Sequence, residues 1–134
     1  MNVLVDTSVW SLALRRAHPP EDAHVQELAE LISEGRAALI GPIRQELLSG
    51  VKVPGQFRML RDRLRAFPDV ELAAEDYEEA AHDFNLCQAR GIQGSNTDFL
   101  ICAVAVRRRM TILTTDGDFQ DYARVLPIPL HPPR

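Results

Sequence analysis

Five acids in this 134-residue chain stand next to segments that read as core elements: Asp6, Glu46, Asp98, Asp116 and Asp118. Asp6 closes the apolar run Val3-Leu4-Val5 and opens Thr7-Ser8-Val9-Trp10. Asp116 and Asp118 flank Gly117 directly after Thr111-Ile112-Leu113-Thr114. Asp98 heads a strongly apolar stretch, and Glu46 lies in a short segment that begins Gly41-Pro42. Carboxylates that converge from separate elements make an all-oxygen site, which suits a hard cation such as Mg²⁺. Such a site points to metal-assisted phosphate chemistry. Each acid also has a structural use. Asp6 can cap a helix, Asp98 can close a capping box with Ser95, Asp116 and Asp118 suit a tight turn, and Glu46 can be solvated. The shared placement at element ends favours the chemical reading.

The elements that must position these acids alternate between strand and helix. Residues 2–5 read as a buried strand, followed by a helix to about Arg16 and a break at His18-Pro19-Pro20. A second helix from about Asp22 to Glu34 carries the stripe Val25, Leu28, Ala29 and Ile32 at a period of 3.6, closed by Gly35. Residues 37–40 form a second strand, and Pro42 suits the first position of the next helix. A fourth helix has the stripe Phe57, Leu60, Leu64 and Phe67. Val70-Glu71-Leu72 is a third strand candidate. The long helix 75–90 is predicted to bury Tyr77, Ala80, Ala81, Phe84 and Cys87 and to turn an acidic face outward. An apolar helix covers about 96–108, a fourth strand 111–114 and a short helix 118–123. Val125-Leu126 is an edge-strand candidate, and the Pro-rich segment from about 127 reads as a frayed end. Alternation of this kind predicts a parallel sheet covered on both faces, with the site at the carboxyl ends of its strands.

Composition narrows the function classes. One domain spanning 1–134 fits the length. Apolar content of 46% and charged content of 25% are ordinary for a soluble protein. No stretch approaches the roughly 18 apolar residues of a membrane span. Met1-Asn2-Val3 enters a strand without a basic leader, so a cytoplasmic protein is expected. Cys87 and Cys102 lack zinc-site spacing and read as buried thiols. The four histidines lack metal-ligand spacing and read as surface residues. There is no G-x-S-x-G and no phosphate-binding Gly-rich loop with Lys. The net charge of −4 looks wrong for a nucleic-acid binder, but two divalent cations would bring it to about zero. Fourteen of the fifteen basic residues are Arg, the better partner for phosphate.

The motifs carry a family resemblance. Val3-Leu4-Val5-Asp6-Thr7-Ser8-Val9-Trp10 resembles the opening motif of PIN-domain nucleases. Pro42-Ile43-Arg44-Gln45-Glu46-Leu47-Leu48-Ser49-Gly50 is similar to their second-acid segment. Arg90-Gly91-Ile92, followed by the helix Thr97-Asp98-Phe99-Leu100-Ile101-Cys102-Ala103-Val104-Ala105, resembles their third. Ile112-Leu113-Thr114-Thr115-Asp116-Gly117-Asp118-Phe119 is similar to their fourth. The short single-domain form looks most like the VapC toxins of bacterial toxin–antitoxin pairs.

The resemblance implies an α/β/α sandwich with a parallel sheet of about five strands. It implies RNA cleavage dependent on Mg²⁺ or Mn²⁺, directed at structured RNA such as tRNA or rRNA. It also implies a homodimer and a VapB-type antitoxin that blocks the site. Asp6, Glu46, Asp98 and Asp116 carry over as the acidic set, Asp118 as a fifth acid, and Thr7 and Thr114 as polar residues beside the metal. Arg44, Arg15 and Arg16 are candidates for guiding the RNA backbone, with an ordinary surface role as the alternative. Two rivals remain. One is a non-catalytic domain that binds an antitoxin or RNA. The other is a phosphatase with Asp6 as nucleophile, for which the usual second Asp is replaced by Ser8.

Overall fold

The computed structural model describes residues 1–14 and 21–134. Three short parallel strands form the sheet: β1 (Val3–Val5), β2 (Ala37–Ala38) and β3 (Thr111–Leu113). Their order is β2-β1-β3. In register, Val3 pairs with Ala37 on one side and with Thr111 on the other. Val5 pairs with Leu113, and the Asp6 N–H donates to the Leu113 carbonyl at 2.9 Å. The ladder thus runs one residue past β1 and fixes the backbone of the first acid.

Two further segments lie parallel along the sheet edges as single bridges, Leu39 with Asp69 and Ile112 with Leu130. Five chain segments therefore lie side by side, in line with the expected count, but only the inner three are strands. The outer pair departs from the sequence reading. Pairing on the β2 side stops after Val70 N–H reaches the Leu39 carbonyl, so 70–72 form no strand. Val125 and Leu126 are not an edge strand either. Their N–H groups both turn back to the Tyr122 carbonyl. The edge pairing belongs to the Pro-rich segment: Ile112 N–H donates to the Pro129 carbonyl and His131 N–H to the Ile112 carbonyl. That segment is docked. Arg134 reaches Glu27 Oε1 at 2.7 Å and both carboxylate oxygens of Glu34.

Val3, Leu4 and Val5 are all fully buried, so both faces of the sheet are covered, as period-two alternation requires. The cover comes from helices α1 (Thr7–Leu14), α2 (Ala23–Ser33), α3 (Gly41–Leu48), α4 (Pro54–Leu64), α5 (Ala74–Ala89), α6 (Asn96–Arg107) and α7 (Asp118–Tyr122). Helix α1 packs on α2 and α3, and α6 packs on α5 and β3. Asp22 caps α2 by accepting from His24 N–H at 2.7 Å, and α2 ends at Gly35, whose φ of +69° suits glycine. Helix α6 buries every residue from Phe99 to Ala105. An apolar helix on all sides is a core helix, and small Ala103 and Ala105 with Cys102 let its neighbours approach.

Helix α5 turns Ala80, Phe84 and Cys87 toward the core as the sequence reading has them, but departs at its edges. Its buried line is Asp76, Ala80, Asp83 and Cys87, while Tyr77 is 54% exposed and Ala81 faces solvent. The charge at Asp76 can point inward because Arg107 and Arg108 meet it, Arg108 through Nη1 at 2.5 Å and Nη2 at 2.9 Å. Its Oδ2 also accepts the Ala73 N–H at 2.8 Å, closing the first turn of α5. The Arg107-Arg108 pair is therefore a clamp between two helices as well as a match for the dipole of α6. Asp83 has no such partner among the described residues, and burial, with Glu79 beside it, pushes its carboxyl up to about 6. His131 is likewise an internal residue: its ring bonds Thr111 Oγ1 at 3.1 Å and Glu27 Oε2 at 2.5 Å.

Candidate metal centre

Strands β1 and β3 are neighbours and run the same way, so the residues after them leave the sheet at one edge. At that edge the chain leaves β1 for β2 on one side and, from β2, crosses back over β1 to β3 on the other. Crevices at such switch points are the usual sites of open α/β sheets. Here the geometry joins Asp6, after β1, to Thr114, after β3. Thr114 Oγ1 donates to Asp6 Oδ2 at 2.8 Å, and Ser8 Oγ donates to the same oxygen at 2.9 Å. Thr114 Oγ1 also accepts the Asp116 N–H at 2.9 Å, and Asp116 Oδ1 accepts the Asp118 N–H at 2.9 Å. One hydroxyl thus links the first acid to the turn that carries the fourth and fifth.

Asp98 arrives from the first turn of α6. Its N–H donates to Ser95 Oγ at 3.1 Å, so Ser95 is the N-cap of α6, but the return bond from the Ser95 N–H to the Asp98 carboxylate that would complete a capping box is not made. Its carboxylate does separate work. Carboxylate oxygens of Asp98, Asp116 and Asp118 lie within 4.8 Å of one another. Asp6 is only 5% exposed. Burial raises its carboxyl above the ordinary 3.8 despite the two hydroxyl donors, and the charge of Asp116 adds to the rise. Burial raises Asp98 in the same direction, followed by the charges of Asp6 and Asp116.

Glu46 stands apart from this group. Ile43 and Leu47 take the buried side of α3, and Glu46 is exposed. Thr7 Oγ1 donates to Glu46 Oε1 at 2.7 Å, which ties it to the residue next to Asp6. Thr7 is thereby a partner of an acid. Arg44 is occupied inside the fold: it bonds Asp69 Oδ1 at 2.9 Å, the Leu64 carbonyl at 3.0 Å and the Phe67 carbonyl. Its fork joins α3 to the segment after α4, which leaves it poorly placed to guide a nucleic acid. Arg15 and Arg16 lie outside the described residues.

Two contributors have no sequence signal of the kind used above. Ser8 was passed over as an interruption of an Asp pair, yet it is the second donor to Asp6. Tyr122, fully buried, donates its hydroxyl to Asp98 Oδ2 at 2.7 Å. Neither contact follows from periodicity.

The donor set fits a divalent cation. Among the described residues, the buried acids Asp76 and Glu27 are neutralised by Arg107, Arg108 and Arg134. No described cation forms an ion pair with Asp6, Glu46, Asp98, Asp116 or Asp118. Clustered carboxylates without a counter-charge match the oxygen preference of Mg²⁺ or Mn²⁺.

The PIN domain family model matches residues 3–125, which includes all five acids and both flanking strands. The chain belongs to the PIN-domain family. Within it, this PIN domain is of the VapC type. It is 30% identical over 127 residues to VapC ribonuclease Mb1587 of Mycobacterium bovis, with 92% of each chain covered. Ribonuclease VapC11 of Mycobacterium tuberculosis matches at the same identity and coverage. In fold, the PIN domain is similar to a chain in the crystal structure of FitAcB from Neisseria gonorrhoeae, with a TM-score of 0.76, 22% identity, and 98% and 97% of the two chains covered. It is also similar to a chain of VapBC2 from Rickettsia felis bound to a DNA fragment from their promoter, with a TM-score of 0.75, 18% identity and 98% of each chain covered. No helix among the described residues is long and apolar enough to cross a membrane.

Proposed function

We propose that this PIN domain is a divalent-metal-dependent endoribonuclease toxin, acting on structured RNA such as tRNA or rRNA and silenced by a cognate VapB-type antitoxin. The observation that carries the reading is the group Asp98, Asp116 and Asp118, with carboxylate oxygens within 4.8 Å and no described cation to neutralise them. RNA as substrate is supported by the 30% identical relatives that are named ribonucleases. An antitoxin partner is supported by the likeness to a chain of the Rickettsia felis VapBC2 complex. A homodimer and a cytoplasmic setting belong to the same reading.

When bound, Mg²⁺ or Mn²⁺ lowers the pKa of water and orients it toward a phosphodiester. Asp98, Asp116 and Asp118 are the residues that would hold it, and Asp6 stands beside them. Asp6 Oδ2 is taken by the Thr114 and Ser8 hydroxyls. Its Oδ1 carries neither and is the atom to accept the proton of the attacking water. Glu46, exposed and held by Thr7, extends the acidic surface toward solvent. An acidic pocket of this kind also suits an Arg or Lys from an antitoxin tail, which would take the place of the cation.

The test is cleavage of total RNA by the purified protein, with and without Mg²⁺, beside Asp98→Asn. Cutting that needs the metal and is lost in the variant supports the proposal. A variant that cuts as well as the parent overturns it.

A further inference from the structure

The ring of Tyr122 is fully buried and held by two neighbours. Phe99 lies with its centroid at 4.9 Å and Phe119 at 5.1 Å. Its hydroxyl has one side-chain partner, Asp98 Oδ2, at 2.7 Å. Tyr122 ends α7, the five-residue helix that begins at Asp118. Asp98 comes from α6, a separate element. The Tyr122 hydroxyl is therefore the bond that ties the acid of α6 to the helix bearing another acid of the group.

Space for this bond is made by Gly94. A Cβ at position 94 would lie 2.3 Å from the Tyr122 hydroxyl oxygen, 2.8 Å from Cζ of the same ring and 2.9 Å from Phe99 Cε2. All three are far inside van der Waals contact. Gly94 has no positive φ, so backbone conformation does not demand glycine here. The demand comes from the phenol. Gly94 also directly precedes Ser95, which caps the helix carrying Asp98. Loop, cap, acid and phenol form one packed unit.

We infer that Tyr122 is a positioning residue for Asp98: its hydroxyl holds Oδ2, so that Asp98 offers Oδ1 to a divalent cation in a fixed orientation, and Gly94 keeps the phenol in reach. The inference rests on the metal reading of the acidic group proposed above. Groups that orient ligating carboxylates are worth roughly 10- to 100-fold in metal affinity. A buried tyrosine also needs a partner for its hydroxyl in any fold, so the experiment must separate orientation of the ligand from support of the core.

Tyr122→Phe keeps the ring and removes only the donor. Free Mn²⁺, followed by electron paramagnetic resonance during titration of the metal-free protein, gives binding without reference to activity. The parent protein binds Mn²⁺, Asp98→Asn loses binding, and Tyr122→Phe binds roughly 10-fold or more weakly while melting cooperatively. Gly94→Ala keeps the hydroxyl but forces the ring aside, and its affinity falls in the same direction. Tyr122→Phe or Gly94→Ala with parental Mn²⁺ affinity overturns the inference and leaves the metal site standing. No Mn²⁺ binding by the parent overturns the metal reading itself, and the inference with it.

Discussion

Thr114 Oγ1 donates to Asp6 Oδ2 at 2.8 Å across 108 residues of sequence, and Thr114 Oγ1 itself accepts the Asp116 N–H at 2.9 Å. One hydroxyl thus sets the acid after β1 against the turn after β3. Thr114→Val keeps the shape and removes both bonds. A buried carboxylate oxygen that loses a donor costs about 1–3 kcal/mol of stability. RNA cleavage is expected to fall roughly 10- to 100-fold, as for other groups that orient metal-site carboxylates. Thr114→Ser, which keeps the hydroxyl, recovers most of both. Chemical denaturation and cleavage rates of the two variants check this.

Repulsion within the acidic group sets a pH dependence. Two carboxylates near 5 Å apart repel by roughly 3 kcal/mol at an effective dielectric near 20. Asp6 and Asp98 are both raised above 3.8, mainly by burial. A raised folded-state pKa contributes stability that is complete below about 3.8 and is lost as pH rises through the raised value. The metal-free protein therefore loses this contribution as pH rises above about 3.8. Asp6→Asn removes the charge and is expected to melt higher than the parent in EDTA at pH 7.5, with the gap closing near pH 4. Millimolar Mn²⁺ raises the parent's melting temperature and does less for the variant. Equal melting of parent and variant at every pH contradicts this reading.

How far the sequence carried the site follows from where each signal lives. Asp6 and Asp116 were legible because both follow apolar strand runs, and parallel strands bring such positions to one edge. Asp98 was legible as an acid heading an apolar helix. Tyr122 and Ser8 were not, because a hydroxyl's tertiary partner leaves no trace in local spacing. On helix α5 the sequence places Ala80, Phe84 and Cys87 inward, as observed, but misses the inward acids for a related reason. Acids were assigned outward, and nothing local to Asp76 announces that Arg107 and Arg108, more than thirty residues on, will meet it. The segment after 127 was read as frayed from its prolines. Leu130 and His131 lie between those prolines, and the bridge at Leu130, the His131 N–H and the Arg134 guanidinium together dock it.

Asp76 gives a prediction with the opposite pH sign. It is fully buried, and the Arg108 guanidinium holds its carboxyl down to about 2. A lowered folded-state pKa contributes stability that is present above about 3.8 and is lost as pH falls through about 2. Asp76→Asn leaves the partly exposed Arg107 and Arg108 without their acceptor charge and is expected to destabilise by about 2–3 kcal/mol near pH 7. The difference from the parent shrinks between pH 4 and pH 2. Urea titrations across that range measure it, and a constant difference would count against the clamp.

The ends of the cleaved RNA test the central claim most directly. Water activated at the Asp98, Asp116 and Asp118 group leaves a 5′-phosphate and a 3′-hydroxyl. Attack by the RNA's own 2′-hydroxyl, which needs no such group, leaves a cyclic phosphate. Sequencing the ends produced by the purified protein in Mg²⁺ and in excess EDTA is predicted to give 5′-phosphate ends in Mg²⁺ and no cutting in EDTA. Cyclic phosphate ends, or undiminished cutting in EDTA, would contradict the account.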